Sequence, residues 1–444
     1  MNRQDEMEAA IAKALAQSGA DETEILAFQS ATALTRVANS EIHQNVAETN
    51  SVISVRAIFD NQIGTASTNR PEVDAIATAV KTAVDNAKVS PRVNDWPGLP
   101  EFPVITDDKR AAATRECTPG KRADLIHEAL TLAKNNKLTM AGALETSETT
   151  VFIGNSHSGV SRSSLTDVDV NMVLMDFDSS GYAAWIGRDL NELDMTELGR
   201  RAAGKAAAGR RPQDLPPGAY TVILEPAAVA DMLSFLAYVG LGALSVQEKQ
   251  SFMAGHFGER LVDEKIAFWD DGTDPRTQGI PFDYEGVPKE KVVFFEKGVA
   301  TRVVYDTRTA AREGGKSTGH ALPAPNTHGP LPTNLFLEPG RLKLDEMIAS
   351  TANGVLVTRF HYTNIEEPMR AVLTGMTRDG TFLIENGAVG AGLKNLRFTQ
   401  SILDALSAVA AVGSELTLVN AFLGTCCCPA LKIDNFHFTG ISDT

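Results

Sequence analysis

Between Gln4 and Gln17 apolar residues recur at Met7, Ala10, Ile11, Ala14 and Leu15, which predicts one face of an amphipathic helix. From Glu24 to Asn69 the pattern changes to β-branched alternation. Val52, Ile53, Val55, Ala57, Ile58 and Phe59 run into Asp60-Asn61-Gln62, and Ile63-Gly64-Thr65 leads out, the grammar of a hairpin. Pro71 then opens a helix whose inner side is Val73, Ile76, Ala77, Val80 and Val84. A third helix starts at Thr118-Pro119 and carries Ala123, Ile126, Leu130 and Leu132. Strands follow from Leu138 to Phe177 around a turn at Asn155-Ser156-His157-Ser158-Gly159, and Met195 to Ala208 reads as an Ala-rich helix closed by Gly209 and Pro212.

Beyond Gln213-Asp214-Leu215-Pro216-Pro217-Gly218 come a strand at Tyr220–Leu224 and an apolar helix after Pro226. A turn at Glu285-Gly286-Val287-Pro288 precedes two β-runs that flank Glu296-Lys297-Gly298. Asp379-Gly380 and Glu385-Asn386-Gly387 are two further tight-turn signals. A helix over Thr399–Ala411 and a last strand near Ala430–Phe438 complete the pattern. Strands cluster with short turns and no regular βαβ alternation, which predicts an α+β fold of two domains. Residues 1–212 form a mixed sheet with flanking helices and a proline-rich connector at about 90–119; residues 213–444 form a β-rich domain of hairpins packed with helices. No tandem repeat or low-complexity tail interrupts this.

Apolar residues make up 43% and charged residues 22% of 444, an ordinary globular balance with room for two or three cores. The net charge of −15 argues against nucleic acid, because phosphate binding needs clustered cations. The cations Arg200, Arg201, Lys205, Arg210 and Arg211 do not share one helical face and no aromatic residue interleaves them, so they read as a solvated helix flank. Met1 to Glu6 lacks a secretory pattern, and the longest apolar run, Met232 to Leu244, is too short to cross a bilayer. Four cysteines, Cys117 and the run Cys426-Cys427-Cys428, make a poor disulfide framework, so a cytoplasmic location and no membrane partner are expected.

The chemical candidates are few. None of the eight histidines lies three to five residues from another, and His127-Glu128, which begins like a metalloprotease motif, has Thr131 where the second histidine would stand. Of the cysteine run only Cys426 and Cys428 can share a side, and the plain reading is small apolar filler in a tight turn, with a metal or redox role as the alternative. Gly314-Gly315-Lys316-Ser317 imitates the end of a phosphate loop, but the leading glycine is missing. The long Pro/Gly loop that holds Lys316, Thr318, His320 and His328 reads better as the lining of a substrate cleft. No Gly-x-Ser-x-Gly elbow is present.

Several segments in order carry a resemblance. They are Ser54–Thr68, with its Gly64-Thr65-Ala66-Ser67-Thr68 ending, the hairpins between Gly279 and Asp306, Ser317-Thr318-Gly319-His320, Thr333–Gly340, and Ile384-Glu385-Asn386-Gly387. Together they resemble the TldD/PmbA (TldE) family, paired proteins associated with peptide maturation by a zinc protease. Protease members carry a His-Glu-x-x-x-His helix soon after a strand like Tyr220–Leu224, and a cysteine ligand near the C-terminus. Counted back from Ser251-Phe252-Met253, the helix positions correspond to Ser234, Phe235 and Val239, and Pro226 to Gln247 holds no histidine. The departure resembles the PmbA/TldE branch. The resemblance implies a non-catalytic subunit with no catalytic residue and no metal of its own, zinc on a TldD-like partner, and a dimer (hetero, or homo when isolated). It further implies an unfolded peptide as substrate, held in part by strand addition. Two other readings stay open: an independent hydrolase that joins Cys426–Cys428 to His320 or His437, and a regulatory protein of the kind the family's gyrase-modulator label suggests.

Overall fold

The structure, a computed structural model, describes residues 3–442. Its N-terminal half contains α1 (Arg3–Ala16), β1 (Glu22–Ala38), β2 (Glu41–Phe59), β3 (Gln62–Thr68), α2 (Val73–Ala87), β4 (Thr106–Lys109), α3 (Ala112–Arg115), α4 (Pro119–Asn135), β5 (Thr139–Asn155), β6 (Ser158–Met175), β7 (Ser180–Gly187) and α5 (Met195–Ala208). The seven strands make one sheet in the order β3-β2-β1-β5-β6-β4, with β7 added to β6. Helices cover one face because their apolar stripes meet it. Ile76, Val80 and Ala83 of α2 pack with Ile53, Val55 and Phe152, while Leu125, Ile126 and Ala129 of α4 pack with Leu144, Val168 and Val170. Pro71 precedes α2 rather than opening it, since the helix begins at Val73 with Glu72 as its cap.

The C-terminal half contains β8 (Gly218–Leu224), α6 (Pro226–Gly240), α7 (Ala243–Gln247), β9 (Phe268–Asp270), β10 (Val292–Glu296), β11 (Val299–Ala300), α8 (Thr307–Arg312), β12 (Asn334–Leu337), α9 (Leu344–Ala349), β13 (Asn353–Glu367), β14 (Val372–Glu385), β15 (Ala388–Gly392), β16 (Leu396–Ser401), α10 (Ile402–Ser407), β17 (Val409–Val412), β18 (Thr417–Ala421), β19 (Gly424–Cys428) and β20 (Leu431–Ile441). One sheet runs β11-β10-β9-β12-β19-β18. The other runs β13-β8-β20-β16-β14-β15, and β13 also pairs with β14, so five strands close a ring. Helix α6 packs between β13 of the ring and the β18–β19 edge of the other sheet. Leu233, Leu236 and Ala237 are fully buried there, which fits a helix whose one charged residue is Asp231.

Three further expectations change. Asp379-Gly380 is not a hairpin turn but a bulge inside β14, where the register against β13 slips between Val357 and Arg359. Asp379 (φ 54°) and Gly380 (φ 127°) take left-handed backbone there, which is what the Asp-Gly pair supplies. The expected helix over 399–411 is strand β16, the short α10 and strand β17. The Ser401 hydroxyl accepts from the Asp404 N–H and starts a helix that Val409 ends by pairing with Ile433. The cysteine run lies not in a turn but in β19, between β12 and β18.

Candidate functional site

The two halves meet across a cleft of about 870 Å³. One wall is the β6–β7 face, with Asp169, Asn171, Tyr182 and Trp185; the other is the start of α6, β13 and β18. Three contacts cross it, one of them the Lys205 ammonium donating to the Glu225 carboxylate at 2.5 Å. Asn420 Nδ2 donates to Asp169 Oδ2 at 2.8 Å. The Arg359 guanidinium bonds the Asp379 carboxylate, which also accepts the Ser180 hydroxyl at 2.6 Å, and its carbon lies 4.6 Å from the Tyr182 ring centre.

The side of α6 toward β18 and β19 carries the three positions that the resemblance pairs with the zinc motif. Ser234 is fully buried, and its Oγ accepts the Leu423 N–H at 2.9 Å. Phe235 stacks on Phe422 with centroids 5.0 Å apart and planes 5° off parallel. Tyr238 meets the edge of the same ring at 5.4 Å, and His328 lies 6.1 Å from Tyr238. Val239 is 8% exposed. A hydroxyl already spent on a backbone amide, a phenyl ring and an isopropyl group offer no donor set for Zn²⁺, which needs nitrogen, sulfur or carboxylate ligands. These positions do not fit the metal. Among the described residues no three His, Cys, Asp or Glu side chains converge as a metal site.

The cysteines alternate as the strand dictates. Cys426 and Cys428 point into the core shared with α6, while Cys427 turns away toward Arg276. Cys428 Sγ lies 3.4 Å from Pro226 O. Burial pushes the Cys427 thiol up to about 11 and the Cys428 thiol well above its ordinary value, so neither is a ready thiolate. His320 and His437 do not join them. His437 is exposed on β20. His320 is fully engaged elsewhere, with Nε2 at 3.0 Å from Asp270 Oδ1 and Nδ1 at 2.9 Å from Thr318 Oγ1.

That arrangement also corrects the loop reading for two of its four residues. Thr318 and His320 are each 2% exposed and fasten the 313–333 loop to β9, so they do not line a cleft. Lys316 and His328 are exposed, and only His328 reaches the aromatic group on α6. Sequence patterning missed Phe422, Tyr238 and Arg359. No motif marks them, although Ala421-Phe422-Leu423 is the apolar tip between two strands. A larger cavity, about 1070 Å³, lies on the helix-covered face of the N-terminal sheet. Within its lining Arg110 and Arg115 both bond Glu148.

A closed five-stranded ring beside a second sheet, with a largely buried helix between them and a cleft to a separate, mostly antiparallel sheet, defines a two-part α+β scaffold. A family model for the PmbA/TldA metallopeptidase C-terminal domain matches residues 217–440, and one for domain 1 matches residues 23–87. The chain belongs to the PmbA/TldD family. A Methanothermobacter thermautotrophicus protein named metalloprotease is 26% identical over 243 residues, 53% of this chain and 52% of its own. Escherichia coli O157:H7 metalloprotease PmbA is 23% identical over 401 residues, 86% of this chain and 85% of its own. The chain spans about half the length, or less, of the first curated relatives it matches. The crystal structure of TldE from Thermococcus kodakarensis superposes with a TM-score of 0.87 over 98% of this chain and 100% of that one, at 23% identity, and so shows the same fold. No helix among the described residues is long and apolar enough to cross a membrane.

Proposed function

We propose that this chain is the zinc-free subunit of a TldD/TldE-type protease complex. It walls the chamber in which an unfolded peptide is held while a zinc-bearing, TldD-like partner cuts it. The observation that carries this reading is the filled helix site. Where a peptidase needs two imidazoles and a carboxylate, Ser234 is spent on a backbone amide and Phe235 is stacked under Phe422. The family membership supplies the peptidase context, and the cleft beside α6 supplies a trough that suits an extended chain.

The test is purification from the native host with the partner left free to follow, then metal analysis and peptide cleavage on the complex and on this chain alone. The expected result is a TldD-like companion, about one zinc per complex assigned to that companion, and no cleavage by the isolated chain. A stoichiometric zinc or measurable cleavage in the isolated chain overturns the proposal.

A further inference from the structure

Strand β2 is bordered by β1 along its whole length, but β3 covers its other edge only from Ile53 to Phe59. Among the described residues no strand pairs with the outer edge of Glu41–Val52. Even-numbered residues of β2 turn their backbone groups to β1, as the Asp21 N–H donating to Ile58 O at 2.9 Å marks. The odd-numbered ones from Asn45 to Ser51 therefore face outward. Ser51 N–H, with no strand to meet, donates to the side chain of Asn50 at 2.9 Å.

The guards of a free edge are thin here. Every residue from Glu41 to Asn50 is exposed. The segment holds no proline, lysine or arginine. Its one irregularity, where the register against β1 slips between Arg36 and Val37, lies at the hairpin end and leaves Gln44–Val52 regular. Val46 and Val52 are 39% and 44% exposed, on the sheet face opposite the one where Ile53 packs against α2.

An edge of this kind takes a strand of matching length and reversed direction, and β2 supplies one. Two copies meet about a two-fold axis normal to the sheet, so opposed residues share parity and face. An axis through Glu48 opposes that carboxylate to itself, and one through Ala47 sets Val46 against Glu48. With the axis at Val46, Val46 meets Val46, Gln44 meets Glu48 twice, and Asn45 meets Ala47 across paired hydrogen bonds. Apolar then faces apolar, amide faces carboxylate, and no like charges are opposed. We propose that a second copy of this chain joins here, β2 against β2 about Val46, to make one continuous sheet from two seven-stranded ones. The inference stands apart from the peptide-holding reading, since no residue of this edge lines the cleft between the halves.

The experiment is size exclusion with light scattering on the isolated full chain over a range of concentrations. The expected species is a dimer, tighter in high salt than in low because each chain carries a net charge of −15. Ala47→Pro removes an outward N–H, and the two-fold repeats the loss, so the dissociation constant should rise by roughly tenfold or more. The circular dichroism should not change, because proline is tolerated on an edge whose N–H faces solvent. Cross-linking in a Cys117→Ser background reads the register without proline. Val46→Cys places two Cα atoms about 4.5 Å apart across the axis, within disulfide reach, and should give a covalent dimer under mild oxidant. Gln44→Cys, set against Glu48, should not. A monomer at every concentration, or a dimer that Ala47→Pro leaves intact, overturns the proposal. A chain that is monomeric alone and forms a complex sensitive to Ala47→Pro only with a companion protein or an added extended peptide gives the edge to that occupant and overturns the second copy. Cross-linking of Gln44→Cys as fast as Val46→Cys overturns the axis at Val46.

Discussion

Glu24→Gln tests an ion triad that joins the two halves. Arg56 on β2 donates to Glu24 on β1 at 2.7 Å and to Glu285 of the C-terminal half at 3.2 Å, with side chains 11%, 4% and 10% exposed. One guanidinium serves two buried carboxylates. Burial pushes the Glu24 carboxyl up to about 7; Arg56 offsets part of that, and the like charge of Glu285 adds to it. The ordinary value is 4.5, so over the range between the two values the folded chain holds a proton that the unfolded chain releases. The stability due to that proton is complete below the ordinary value and is lost as pH rises through the folded one. A shift of this size corresponds to about 3 kcal/mol. Glutamine keeps an acceptor for Arg56 and cannot ionise.

The assay is scanning calorimetry of wild type and Glu24→Gln in matched buffers spanning this range. Asp283, pushed up to about 8 by burial and by Glu285, and Asp167, pushed up to about 6 by burial, slope both curves alike, so the readout is the difference. Wild type should lose up to about 3 kcal/mol more than the variant across that range, several degrees of melting temperature at ~2–4 °C per kcal/mol for a unit of roughly 200 residues. Arg56→Met is the companion. It strands two buried carboxylates and should cost ~3–5 kcal/mol on the alkaline side, and less where protonation relieves them. Parallel pH curves for wild type and Glu24→Gln would refute the reasoning.

Three further outcomes are expected. Phe422→Ala removes the stack on Phe235 and the edge contact with Tyr238, which should cost ~1–3 kcal/mol in urea unfolding and weaken peptide binding several-fold; unchanged peptide binding would remove the aromatic group from the chamber wall. His320→Ala leaves the fully buried Asp270 Oδ1 without its partner and should cost about 3 kcal/mol, with faster proteolysis in the 313–333 loop as the local signature. Ellman's reagent should label Cys117 in the native chain and all four cysteines only after unfolding, since Cys426, Cys427 and Cys428 are buried; rapid labelling of more than one thiol would contradict the β19 placement.

What was legible in the sequence follows a physical division. Elements whose stabilising contacts repeat along the chain were visible. The helix Met195–Ala208 carries its cap signals, and the strands around Asn155–Gly159 alternate over a long run. Elements decided by distant partners were not. Arg122 looks like the surface cation of an amphipathic helix, yet it is 1% exposed, because Thr35, Asn45 and the Cys117 carbonyl accept its hydrogen bonds. Asp379-Gly380 has hairpin chemistry, but Arg359 and Ser180 hold Asp379 in mid-strand. The candidate site divides the same way. The unsuitability of Ser234, Phe235 and Val239 for zinc depends on residue identity alone and could be read directly. Whether that place is an empty socket or a filled one depends on Phe422, nearly two hundred positions downstream, and on the hairpin that lays its ring over Phe235. That filling has a consequence. A chain that had only lost its ligands would leave a cavity that restored histidines could reoccupy, whereas here a ring occupies the space. Ser234→His, Phe235→Glu and Val239→His together should therefore destabilise the core without creating a tight zinc site unless Phe422 is also reduced, and tight zinc binding by the triple variant alone would show that Phe422 does not block the position.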